Sequence, residues 1–131
     1  MARRAAYMFK AALPKGPRGQ ISAGLAQTTS TGAAGLIAPT LDVTRTGQKE
    51  TVDGIRMVFQ LTPGTEAPAE LNIHFPDSNA LCRAETATHN LHNLQTLRGA
   101  EVRDPRVCAQ YLTEAGDLFA GASDVAFALH H

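Results

Sequence analysis

Between Thr51 and Thr62 the sequence reads TVDGIRMVFQLT, and in it Ile55, Met57, Phe59 and Leu61 alternate with Arg56, Val58 and Gln60. A period of two is the signature of a half-buried strand, because successive side chains point to opposite faces. The pattern returns after the breaker TPGTEAP: in AELNIHF, Leu71, Ile73 and Phe75 alternate with Asn72 and His74. PDSN is a turn signal, and ALCRAE follows as a short third strand ending at Glu85. A chain with three strands in such quick succession must find something to lay across the sheet.

The cover comes from the next segment. THNLHNLQTLRG spaces Leu91, Leu94 and Leu97 three apart, which predicts a helix with Thr88 as its cap and Gly99 as its stop. Asp104-Pro105 is an N-cap and first-turn pair. It predicts a second helix to about Phe119, with Val107, Tyr111, Leu118 and Phe119 on one side. Asp124 to Leu129 reads as a last strand running into His130-His131. The expected order over 51–131 is β-β-β-α-α-β, an α/β pattern. Residues 1–50 are expected to be mostly loop: 14–40 is rich in Gly, Thr, Ser, Ala and Pro and has neither period.

Composition removes several function classes. Lys plus Arg equals Asp plus Glu, 12 against 12, which speaks against a nucleic-acid or polyanion binder. At 131 residues the chain is long enough for one small domain with a core. Cys82 and Cys108 are too few for a disulfide framework and are expected to be free, buried thiols. The apolar residues of MARRAAYMFKAAL are broken by Lys10, so neither a signal peptide nor a membrane span is expected, and the default location is cytoplasmic.

Three polar residues stand out by placement: Glu66 in a strand-to-strand turn, Glu85 at a strand end and His130 at another. Functional groups of α/β folds gather at such ends, and carboxylate with imidazole suits zinc. Arg98 reads either as a helix-end cation favoured by the helix dipole or as an anion-gripping guanidinium. His89 and His92, three apart, have the spacing of a metal pair, or of residues that pack and orient a neighbouring site. His74 and His131 read as an exposed strand position and a terminal residue.

Whole stretches carry a resemblance. TPGTEAPAELNIHFPDSNALCRAETATHNLHNLQTLRGAEVRD, the upstream GQISAGLAQTTSTGAAGLIAPT and the terminal SDVAFALHH resemble, in this order, signature blocks of the linear (primary) alkylsulfatases. These are the SDS-hydrolase branch of the metallo-β-lactamase superfamily. The resemblance implies a partial metallo-β-lactamase-like αββα sandwich, its second portion, after a long irregular lead. It implies hydrolysis of long-chain alkyl sulfates such as dodecyl sulfate, with two zinc ions in the complete site. Glu66, Glu85 and His130 would be metal ligands, Glu85 bridging. Asn93 and Arg98 would hold the sulfate, with Arg103 a further candidate. The resemblance gives His89 and His92 no ligand role.

The family also carries an HxHxDH motif that supplies four more ligands, and here no histidine precedes His74. Three ligands divided over two metals cannot hold both tightly, since a catalytic zinc normally has three protein ligands and a water. The resemblance thus implies a middle segment of a catalytic domain, inactive alone, from relatives that could equally be periplasmic or secreted. Three functions remain open at this stage: a fragment of the hydrolase, a subunit completed by a partner chain that brings HxHxDH, and a non-catalytic remnant that binds anionic amphiphiles. Half a sandwich should expose an apolar sheet face and associate, as a homodimer or with a complementing chain.

Overall fold

Asp53 and Gly54, with φ of 51° and 81°, form the two-residue turn that closes the first hairpin. Both centres in the left-handed region is what a type I′ turn demands, and Asp-Gly is among the pairs that tolerate it best. The expected strand from Thr51 is therefore two strands. β1 (Lys49–Val52) and β2 (Ile55–Leu61) pair antiparallel, Val52 opposite Ile55.

The computed structural model describes residues 14–19, 33, 35–87, 94–95 and 101–129. They belong to two compact units, residues 1–39 and 40–131. In the first, Gly19 N–H bonds the Gly16 carbonyl at 3.0 Å to close a turn, and Leu36 and Ile37 lie exposed. In the second, β3 (Leu71–Phe75) and β4 (Ala80–Cys82) continue the antiparallel meander, and β5 (Val125–Phe127) adds parallel to β4. The sheet order is β1-β2-β3-β4-β5. A parallel neighbour needs a crossover, and α1 (Pro105–Phe119) supplies it. The helix expected over 88–99 lies outside the described residues. Those residues form a mixed α/β arrangement of one five-stranded sheet and one helix.

The start of α1 follows the sequence reading. Asp104 is extended, and its side chain accepts a hydrogen bond from Arg106 N–H at 2.9 Å, with Pro105 in the first turn. Its inner face differs in detail. Ala115 and Phe119 are buried, whereas Leu118 is 46% exposed, because the inward row is built on Ala115 and Phe119 at i, i+4.

The larger correction concerns which sheet face meets the helix. The core cluster joins Ala115 and Phe119 to Leu81, with Val58 against it. Register puts Val58, His74 and Leu81 side by side. The helix therefore covers the face of Val58, Gln60, Asn72 and His74, the positions that alternation assigns to the polar side. Gln60 and Asn72 are 0% exposed and His74 6%. His74 is no exposed strand residue: its ring stacks on Phe119 at 5.0 Å between centroids, and Nε2 lies 2.9 Å from the Ala122 carbonyl. The other face holds Met57, Phe59, Leu61, Leu71, Ile73, Phe75, Cys82 and Phe127. Phe59 and Cys82 are buried there, while Phe127 is 46% exposed, as are Ile55 (51%) and Val125 (56%) at its margins. Cys82 and Cys108 are both free thiols.

Candidate functional site

The topology brings three chain segments to one end of the sheet. β2 and β4 run in the same direction and β5 runs with them, so the loop 62–70, the turn 83–86 and residues 128–129 all emerge together. The first carries Glu66 and the second Glu85, and the third leads directly to His130. Two backbone bonds tie the last pair: Arg83 N–H to the Phe127 carbonyl at 2.8 Å, and Leu129 N–H to the Ala84 carbonyl at 3.0 Å. The residue before His130 is thus bonded to the residue before Glu85.

The Glu66 loop is held from both sides. Thr62 N–H bonds the Glu70 carbonyl at 2.9 Å, Glu70 N–H the Ala67 carbonyl at 3.2 Å, and the buried Thr65 hydroxyl donates to the Thr62 carbonyl at 2.6 Å. Across from it, Asp104 N–H reaches the Gly64 carbonyl at 3.3 Å. Arg103 forms an ion pair with the Glu66 carboxylate through Nη2, and its Nε donates to the Glu66 carbonyl at 3.1 Å. The two side chains keep only 10% and 13% of their exposure. Beside them is a groove of about 530 Å³ between the 63–68 loop and residues 101–103, walled by Pro63, Ala67, Pro68 and Val102.

A third carboxylate shares the neighbourhood, one that the sequence reading passed over. Burial, and then the Glu85 and Glu66 charges, raise the Glu70 carboxyl above its ordinary value, while the Leu71 backbone and Arg103 pull it down. Only proximity produces that mutual repulsion. Glu66, Glu70 and Glu85 therefore gather around Arg103, and charge at this end is net negative among the described residues. The one hint in the sequence was that Glu70 directly precedes the alternating run that begins at Leu71. Of the candidate site residues, the structure brings together Glu66 and Arg103, with Glu85 in the same field. Asn93, Arg98 and His130 lie outside the described residues, as do His89 and His92.

Carboxylate oxygens at such a site suit a divalent cation. Among the described residues, however, no group of three His, Cys, Asp or Glu side chains is placed to hold a metal ion. They do not make a metal centre by themselves. No helix among them is long and apolar enough to cross a membrane.

A five-stranded sheet with acidic loops at one end, crossed by one helix, defines a mixed α/β class, and comparison with known proteins narrows it. No family-level sequence profile matches. Individual proteins do: the chain is 44% identical over 131 residues to a linear primary-alkylsulfatase of Pseudomonas sp, and 41% identical over 131 residues to the alkyl/aryl-sulfatase BDS1 of Saccharomyces cerevisiae. All of the chain is covered in both, but only 19% and 20% of those proteins. The solved structure of the stereoselective inverting sec-alkylsulfatase Pisa1 from Pseudomonas sp. superposes with a TM-score of 0.82 at 38% identity, over 97% of this chain and 20% of that one. Along its whole length the chain matches a segment of the alkylsulfatase family, and it spans about one fifth of the length of the relatives it matches.

Proposed function

We propose that the chain contributes one wall of an alkyl-sulfate ester hydrolase site, acting on long-chain esters such as dodecyl sulfate. On this reading Glu66, Glu85 and His130 would be ligands of a zinc pair, with Glu85 the carboxylate shared by both. Asn93 and Arg98 hold the sulfate, and the remaining ligands come from a segment carrying HxHxDH. The fold would be the second portion of a metallo-β-lactamase-like sandwich. The observation that carries the proposal is the convergence of the 62–70 loop, the 83–86 turn and residue 129 at one end of the sheet.

Electrostatics favour this reading over metal-free binding of anionic amphiphiles. Three carboxylates outnumber the two described guanidiniums at this end, Arg83 and Arg103, a field unfavourable to a sulfate ester that a bound cation would reverse. Zinc, when bound, would supply that cation and a water of pKa about 7 as nucleophile. The chain's own contribution is to hold its carboxylates. Arg103 fixes Glu66 at both its carbonyl and its carboxylate, so that loop and helix start move as one body. Arg103 is thereby engaged with Glu66, and on this reading the sulfate-gripping role falls to Arg98, because a planar guanidinium can hold two oxyanion oxygens at once.

The test is zinc content by elemental analysis, on the chain alone and after mixing with a separately made HxHxDH segment from a full-length relative. Zinc uptake only in the mixture, with dodecyl sulfate hydrolysis lost in Glu85→Ala, is the expected result. No zinc in either sample sinks the proposal. Stoichiometric zinc in the chain alone contradicts the claim that its ligand set is incomplete.

A further inference from the structure

Behind the Glu85 turn lies a closed circuit of hydrogen bonds. The Gln60 amide donates to the Tyr111 carbonyl on α1 at 3.2 Å. Asn72 Nδ2 donates to Gln60 Oε1 at 2.8 Å. The Thr86 hydroxyl lies 3.2 Å from Asn72 Oδ1 and 2.8 Å from the Arg83 carbonyl, and shares its one proton between them. The Cys108 thiol then donates to the Thr86 carbonyl at 3.6 Å, which returns the circuit to α1 one turn before Tyr111. It runs helix, β2, β3, turn, helix, and its two amide side chains are fully buried.

Two features of this circuit call for a reason. Burying primary amides is costly unless their partners are present, and here both find partners inside. Secondly, the circuit ends on a turn with a strained residue at its centre. Ala84 has φ of 44°, a left-handed conformation that a residue with a Cβ resists. Such a conformation persists only where neighbours over-determine it. Here the neighbours are Thr86 N–H on the Arg83 carbonyl at 2.9 Å, the Thr86 hydroxyl on the same oxygen, and Leu129 N–H on the Ala84 carbonyl. Glu85 is the residue between Ala84 and Thr86, so whatever fixes these two fixes the direction in which its side chain leaves the backbone.

We infer that Gln60, Asn72 and Thr86 are positioning residues, a strut that locks the 83–86 turn and thereby aims Glu85. The inference rests on the reading of Glu85 as a site residue. A network serving only overall stability would loosen the whole sheet equally when cut, whereas a strut loosens the turn first.

Amide hydrogen exchange on the metal-free chain separates the two. Thr86→Val keeps the shape and deletes the hydroxyl. Exchange at the Thr86 and Leu129 amides should accelerate about tenfold beyond any change at Phe59 and Thr62 in the sheet, the loss expected for one hydrogen bond. Thr86→Ser should restore protection to within about twofold. The double change Gln60→Leu with Asn72→Leu, which removes both side-chain amides together, should loosen the same two backbone amides selectively. Equal acceleration of turn and sheet in either variant, or no rescue by serine, overturns the inference. Because no metal is involved, a failed zinc experiment beside a selective exchange effect counts against the functional reading and not against the strut.

Discussion

Replacing Arg103 with methionine keeps the length of the side chain and deletes its charge and all its donors. Were the pair with Glu66 a surface one, the cost would be about 0–1 kcal/mol. It is not: the partners retain 10% and 13% of their exposure, and Nε also holds the Glu66 carbonyl. Breaking a buried pair from one side costs about 3–5 kcal/mol, because the remaining charge is left in a poor solvent. The groove that Glu66 lines gives the remaining carboxylate some access to solvent, which sets the expectation at the low end, about 3 kcal/mol. Urea unfolding followed by circular dichroism reads this as a lower midpoint at unchanged slope. Adding Glu66→Gln removes the stranded charge, so the double variant should be more stable than Arg103→Met alone, with a coupling of at least about 1 kcal/mol. A loss below about 1 kcal/mol for Arg103→Met, or a double variant no better than the single, would refute the claim that this pair behaves as a buried one.

Two further outcomes follow from the packing and charge. Phe119→Ala empties the centre of the core, where the ring meets Leu81 and stacks on His74, and should cost about 3–5 kcal/mol in the same assay; a loss under about 1 kcal/mol would show that the helix does not bury this face. The raised Glu70 carboxyl makes the folded state hold a proton that the unfolded state has released, so this group's contribution is full below the ordinary glutamate value of 4.5 and is lost as pH rises through the raised folded value. Glu70→Gln should remove that slope, and the difference in urea midpoint between variant and parent should grow in the variant's favour as pH rises; a difference independent of pH would exclude the carboxylate cluster.

Legibility in the sequence followed the strength of local signals. α1 could be read almost to the residue because Asp104 and Pro105 act on the backbone next to them. β2, β3, β4 and β5 were readable as alternations or short apolar runs. β1 was not, since Lys-Glu-Thr-Val has no apolar period, although the Asp-Gly pair after it is itself a hairpin signal. The choice of buried face failed for a physical reason. Alternation treats Gln60, Asn72 and His74 as outward because they are polar, but each finds its partner inside, and a satisfied polar group can be buried. For the site, placement at strand ends singled out Glu66 and Glu85. The pairing of Glu66 with Arg103, 37 positions away, and the approach of Glu70 have no local trace.

The parallel pairing of β4 with β5 also has a temporal side. β1 to β4 form a meander of neighbours, whose contacts close short loops and cost little chain entropy. β5 docks from far away: Asn79 and Asp124, whose side chains meet at 3.0 Å where the two strands begin, are 45 positions apart. Long-range closure of this kind comes late in folding. A growing or refolding chain therefore owns its sheet and its Glu66 loop before it owns the bonds from Phe127 and Leu129 that finish the Glu85 turn. Topology thus puts assembly of that end after the meander, and a chain emerging residue by residue cannot complete it before β5 and Leu129 have been released.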